Sequence, residues 1–237
     1  MGWPLWKGES FEQYDPHGAG ARTCPTSDAV WSKVRKPRPG LGSLLATELA
    51  VTARRQAVLG ELGRARVAFR DVSRATDSRT VRACFVPPRV FLTNTAPYLA
   101  FAVGDDRARA ACLGVMNSLP FDWQARRFVE IHLNFFVLEG LVVPDLADED
   151  LEVVAESAAR LSCVDARFVE LAEAVGGELG PLSDVERERL RVEIDARVAR
   201  AWSMTAEDLE VLLTDFSHDA VPLDYRRQLA ERLAELS

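Results

Sequence analysis

Five arginines, Arg70, Arg74, Arg79, Arg82 and Arg89, fall within the segment "FRDVSRATDSRTVRACFVPPR" (69–89), interleaved with Asp, Ser and Thr. A guanidinium group is a planar fork of donors. It binds phosphate oxygens, and in the major groove of DNA it grips O6 and N7 of guanine with two hydrogen bonds. Asp71, Ser73, Thr76, Asp77 and Ser78 can hold such forks in place or accept protons from base amino groups. Arg74 and Arg79 fall in the polar loop and point to nucleic acid, as do Thr80 and Arg82 beside them. Arg70 can contact DNA or pair with Asp71 at a strand end. Further along, "NSLPFDWQARR" holds Asn117, Arg126 and Arg127. Asn117 can cap a chain end or read adenine. In "IHLNFF", His132 and Asn134 alternate with Leu133 and Phe135, which predicts one shared strand face, buried and hydrogen-bonded or turned to DNA.

The elements that must position these groups follow from periodicity. The flanks "RVAFRDV" and "TVRACFV" alternate apolar and polar residues as half-buried strands do. Strands are expected over 64–72, 80–86, 90–93 and 98–103, with "IHLNFFVLEGLVVP" as a closing β-rich run. "DDRARAACLGVMNSLPFDWQARRFVE" reads as helix broken near Pro120, and "LGSLLATELAVTARRQAVLGELG" (41–63) as helix by composition. The basic loop "KVRKPRPG" (33–40) is either a phosphate-touching arm or a solvated linker.

After Pro144 the texture becomes helical. "ADEDLEVVAESAARLSC" places Leu151, Val154, Ala158 and Leu161 on one face. "SDVERERLRVEIDARVARAW" opens with a capping box, Ser183 with Glu186. "TAEDLEVLLTDF" and "LDYRRQLAERLAEL" continue as shorter amphipathic helices. The expectation is an α+β protein: a β-rich domain, 1–146, which the resemblance given below makes a DNA target-recognition domain, followed by an all-helical C-terminal domain, 147–237.

The net charge of -7 conceals an asymmetry: residues 1–140 carry 19 Lys/Arg against 13 Asp/Glu, and residues 141–237 carry 10 against 23. That is a basic working half and an acidic solvated half. No apolar run approaches the roughly 18 residues of a membrane span, and the N-terminus lacks a signal-peptide pattern, so a cytoplasmic protein is expected. The four cysteines (Cys24, Cys84, Cys112, Cys163) are scattered and read as reduced thiols. The nucleotide-binding glycine motifs, HExxH and GxSxG are missing, and no catalytic residue or metal ligand set is assigned.

The succession of motifs resembles the target-recognition region of large adenine-specific DNA methyltransferases, among them fused type IIG restriction–modification enzymes and phage-exclusion methyltransferases. The pattern runs through Phe69-Arg70-Asp71, Arg79-Thr80, Pro87-Pro88, Asn117-Ser118, Phe121-Asp122, His132 to Phe135, and Pro144. "PLWKGESFEQYD" is similar to the segment that opens that region, though Trp6 and Glu9 replace its usual Tyr and Lys. "EIDARVARAWSMTAEDLEVLLTDF" resembles its helical tail.

The resemblance implies binding of double-stranded DNA and N6-adenine methylation, with S-adenosylmethionine held on a partner methyltransferase catalytic domain or subunit and no cofactor in this chain. The DNA-binding set it implies comprises Arg70, Arg74, Arg79, Thr80, Arg82, Arg89, Asn117, Arg126, Arg127, His132 and Asn134. In that family the S-adenosylmethionine site lies upstream, and Met1 falls almost where recognition begins, so the expectation is a recognition module without its catalytic body: a split gene, a separate specificity subunit or a fragment. The rival readings are a protein-interaction module using the acidic helices and a stand-alone nuclease.

Overall fold

The computed structural model describes residues 2–16, 22–25, 60–101 and 104–236. The expected arm 33–40, and the expected helix 41–63 as far as residue 59, lie outside them. The chain mixes helix and strand, is about half helical, and carries two small sheets. In the three-stranded sheet β1 (Gly2–Trp6) lies between β2 (Arg22–Pro25, antiparallel) and the short β5 (Phe91–Leu92, parallel). In the second, β3 (Arg66–Phe69) pairs antiparallel with β4 (Ala83–Val86), Arg66 opposite Val86 and Phe69 opposite Ala83.

The β3–β4 hairpin is buried at every position, not half-buried as its alternation predicts. Its two faces enter different cores. Val67, Phe69, Ala83 and Phe85 face the main core with the helices, while Ala68, Cys84 and Val86 join Trp6, Phe11, Val90 and Ala96. Such a division follows from the two-residue period of a strand. Arg66, the one charged member, is accommodated because it donates to the Val90 carbonyl and lies 5.0 Å from the Tyr98 ring centroid.

The first helical segment breaks as its sequence predicts. Asp105 caps α1 (Asp106–Asn117) by accepting from the Ala108 N–H at 2.9 Å. Ser118 then caps α2 (Leu119–Ala125), which carries Pro120 in its first turn, where its missing N–H costs nothing. Two strand expectations fail. Of the 98–103 stretch, residues 98–101 make a single bridge, Tyr98 to Ala68, and residues 102–103 lie outside the described residues. The "IHLNFFVLEGLVVP" run turns into a short helix, α3 (Phe135–Glu139), because the Asn134 side chain accepts from the Val137 N–H at 3.0 Å and starts a helical turn. His132 and Asn134 therefore do not share a strand face.

Four helices follow α4 (Asp148–Ser162): α5 (Val169–Val175), α6 (Asp184–Ala201), α7 (Ala206–Leu213) and α8 (Leu223–Leu236). The Ser183–Glu186 capping box opens α6, and Thr205 with Asp208 opens α7 in the same way. The expected boundary at 146/147 falls in the irregular stretch 142–147, but the apolar core does not divide there. One buried cluster runs from Val67, Phe85 and Leu113 to Val154, Ala158, Ile194 and Val198. The join between α1 and α4 is close: a Cβ on Gly114 would sit 2.5 Å from Val154 Cγ1. Not every carboxylate of this half is solvated. Asp150, 2% exposed, accepts from Arg197 Nη1 at 2.7 Å and Arg200 Nε at 3.2 Å.

Candidate nucleic-acid interface

The loop between β3 and β4 is organised by a residue that composition does not single out. Asp122 on α2 is fully buried. Its carboxylate accepts the Thr80 N–H at 2.9 Å, the Val81 N–H at 3.0 Å, Arg79 Nε at 3.2 Å and Arg126 Nε at 2.8 Å. The rest of the Arg126 fork fills the underside of the loop, donating to the carbonyls of Ala75 (2.6 Å), Asp77 (2.8 Å) and Ser78 (2.9 Å). Phe216 closes this layer, with its ring centroid 4.2 Å from the Arg126 guanidinium carbon. Ser73 and Thr80 hydroxyls donate to the carbonyls of Thr80 and Arg74, the latter at 3.1 Å. The 71–80 loop is thus held from beneath by buried charge-assisted bonds.

This arrangement sorts the residues expected to meet DNA. Arg70 turns inward, donating to the carbonyls of Gly8 (2.9 Å) and Phe11 (2.6 Å) and to Glu12 (2.6 Å). Arg79 bonds Asp122 and the Asn117 carbonyl, and only 16% of its side chain is exposed. Burial works against its charge, but the carboxylates of Asp122 and Asp195 outweigh it and hold its pKa above the ordinary range. Arg82 lies between Glu12 and Asp77, 3.4 Å from each. The Asn117 amide brackets Ala83, accepting from its N–H and donating to its carbonyl, both at 2.9 Å, so neither adenine reading nor capping is its part. Thr80 and Arg126 are interior as described, and Asn134 is a helix cap. In each of these the polar atoms meet protein partners, some within a helical turn, as Arg126 with Asp122 and Asn134 with Val137, and others far along the chain, as Arg70 with Glu12 and Arg79 with Asp122.

Besides Asn134, which is exposed but spends its side-chain oxygen on the cap, four residues remain on the outside. Arg74 is exposed at the loop tip, and among the described residues its guanidinium meets no acceptor; its backbone is engaged, the N–H by the Asp77 carboxylate at 3.2 Å and the carbonyl by the Thr80 hydroxyl and the Asp77 N–H. His132 lies opposite Val72, with Nδ1 2.9 Å from the Asp71 carboxylate and its ring half exposed. Arg127 stacks on Trp123 at 4.7 Å, pairs with Asp215 and keeps 47% of its side chain exposed. Arg89 is exposed too, but it follows the opposite end of the hairpin and adopts a left-handed φ of 62°. Strands of this length separate the two ends by about 13 Å. The compact five-arginine cluster of the sequence is therefore dispersed, and Arg74, Arg127 and His132 surround the 71–80 loop.

An apolar surface adjoins them. Phe128, Ile131, Phe136, Val142 and Val143 are all exposed, Phe136 at 87%. The sequence signal for Asp122 was available in its four-residue spacing to Arg126, a helical ion-pair register. Cys84, Cys112 and Cys163 are free, and burial raises their thiol pKa, to about 11 for Cys112 and about 12 for Cys163. Among the described residues no group of three or more His, Cys, Asp or Glu is placed to hold a metal ion, and no helix is long and apolar enough to cross a membrane. No family model, curated protein or solved structure matches the chain.

Proposed function

We propose that the chain is a sequence-specific DNA-binding module of an N6-adenine DNA methyltransferase, reading its site with the 71–80 loop and acting with a catalytic domain that holds S-adenosylmethionine. The observation that carries this reading is the loop itself. It is polar, rigidly supported through Asp122 and Arg126, and presents an unpaired arginine at its tip. Recognition by hydrogen bonds gains from such support, since ordering costs are met on folding and not on binding. Exposed Thr76 and Ser78 add hydroxyl donors and acceptors beside Arg74. Arg127 and His132 flank the loop, where they can meet backbone phosphate.

The exposed apolar surface at 128–143 favours a protein partner, and the reading assigns it to the catalytic domain. The alternative, a protein-interaction module with no DNA contact, shares that surface and differs in the loop.

The test is a selection from a random duplex library, followed by fluorescence-anisotropy titration of the recovered site at several salt concentrations. Wild type is expected to bind with a salt-dependent affinity. Arg74→Ala is expected to weaken the recovered site by about 1–3 kcal/mol if it reads a base, or to flatten the log K against log salt slope by about one unit if it meets phosphate. No enriched site, with no salt-dependent retention, overturns the DNA reading and leaves the protein-interaction one.

A further inference from the structure

A second feature lies apart from the loop tip. Two adjoining clefts, about 420 and 580 Å³, run between the N-terminal 12–15 turn and α6, and share Gln13, Arg79, Arg187 and Arg191. Arg187 and Arg191 stand one helical turn apart on α6, so their forks project into the same space. Neither forms an ion pair among the described residues. Arg187 donates only to the Leu161 carbonyl, at 3.3 Å, and Arg191 Nε is buried with no acceptor, its guanidinium carbon 5.9 Å from the Tyr14 ring centroid. On the opposite wall Arg79 uses Nε and one terminal nitrogen on Asp122 and Asn117, which leaves Nη1 without a hydrogen-bond partner among the described residues.

The carboxylates lining the space are largely engaged elsewhere. Asp195 accepts from the Leu119 N–H at 2.8 Å and the Tyr225 hydroxyl at 2.6 Å. Glu188 accepts from Gln228 at 2.8 Å, and Glu12 holds Arg70. Burial and the neighbouring Arg191 charge depress the Arg187 pKa, partly offset by Asp15 and Asp184. Asp15 and Asp184 also line the space, but among the described residues neither Arg187 nor Arg191 is within ion-pair distance of a carboxylate.

We infer that this cleft binds a phosphate group, with Arg187 and Arg191 on one side and Arg79 on the other. Three forks converging from two walls suit a tetrahedral oxyanion, whose oxygens point in several directions, better than a planar carboxylate. The phosphate comes either from a soluble phosphorylated ligand or from a DNA backbone.

Calorimetry on the full chain with inorganic phosphate, in a chloride buffer, tests the site. Saturable binding with a Kd of about 1 mM or tighter is expected. Arg187→Gln and Arg191→Gln should each weaken it about tenfold or more, the loss of a charge-assisted hydrogen bond. Arg191→Lys, which keeps the charge without the fork, should fall between. Arg227→Gln, an exposed residue of α8, should change nothing. Denaturation midpoints establish that each variant is folded. Duplex DNA added in competition distinguishes the sources: displacement of phosphate assigns the site to backbone, and coexistence assigns it to a soluble ligand. The inference is overturned if wild type shows no saturable phosphate binding, or if folded Arg187→Gln/Arg191→Gln binds phosphate as wild type does. Because the probe is phosphate and not DNA, failure here leaves the Arg74 reading untouched.

Discussion

Replacing Asp122 by alanine removes one carboxylate and strands four donors. The amides of Thr80 and Val81 lose their acceptor in a buried setting, at about 1 kcal/mol each on the low side of such penalties. Arg79 and Arg126 lose their shared anion. Arg126 retains three carbonyls, so most of the electrostatic cost falls on Arg79, which keeps only the Asn117 carbonyl. Losing one partner of a buried pair costs about 3–5 kcal/mol, and relaxation of the loop offsets part of it. The expected total for Asp122→Ala is about 4–6 kcal/mol, a large part of the roughly 5–15 kcal/mol that holds a domain folded. Asp122→Asn keeps one oxygen but turns an NH2 toward at least one donor, and should lose about 2–3 kcal/mol. Urea denaturation followed by circular dichroism measures both. The change should appear in the midpoint with the slope preserved. Hydrogen exchange at the Thr80 and Val81 amides should accelerate in the asparagine variant. A loss below about 1 kcal/mol for Asp122→Asn, with both amides still protected, would refute the claim that this carboxylate organises the loop.

Gly114→Val should destabilise the fold by about 1–3 kcal/mol in a denaturant titration, because even its Cβ would sit 2.5 Å from Val154 Cγ1 where α1 meets α4. Asn117→Ala should cost about 1–3 kcal/mol by leaving the buried Ala83 N–H without an acceptor, while the Ala83 carbonyl keeps the Tyr14 N–H at 3.1 Å, and the loss should be the same with DNA present as without. Burial raises the Asp195 pKa, despite opposing help from Arg79, Tyr225 and the Leu119 N–H. The folded state therefore holds that proton more tightly than the unfolded chain. Its contribution is complete below the unfolded value of 3.8 and is lost as pH rises through the folded pKa. Asp195→Asn should gain stability relative to wild type over that window in pH-dependent unfolding, and a pH-independent difference would contradict it.

What the sequence made legible is local. The Ser183–Glu186 box, the break before Pro120 and the apolar face of 151–161 each depend on residues within a turn or two, and all three stand as read. The hairpin was legible as strands but not as a buried element. Its second cover comes from Trp6 and Phe11, far away in the chain. The 131–144 run misled because its aromatic and β-branched content outweighed one asparagine cap. The arginines misled for a reason of the same kind. Clustering reveals charge density, whereas direction depends on where the anions and carbonyls arrive. Arg79 meets Asp122 and Arg70 meets Glu12 across long sequence separations that no spacing rule records.

That redistribution bears on how an acidic chain can still offer a basic contact. Arg70, Arg79 and Arg126 tie together the N-terminal turn, the loop and α2, so most of the local positive charge is neutralised inside. What faces outward is a small set: Arg74 at a supported tip, with Arg127 and His132 beside it. Non-specific affinity scales with the number of phosphates neutralised, and these three residues by themselves add only a small term. Discrimination depends instead on the fixed geometry of the hydrogen-bonding groups, and the Asp122–Arg126 support supplies such geometry. On the proposed reading, the loop would supply discrimination, and the apolar surface at 128–143, docked on a catalytic partner, would add affinity that the loop alone does not provide.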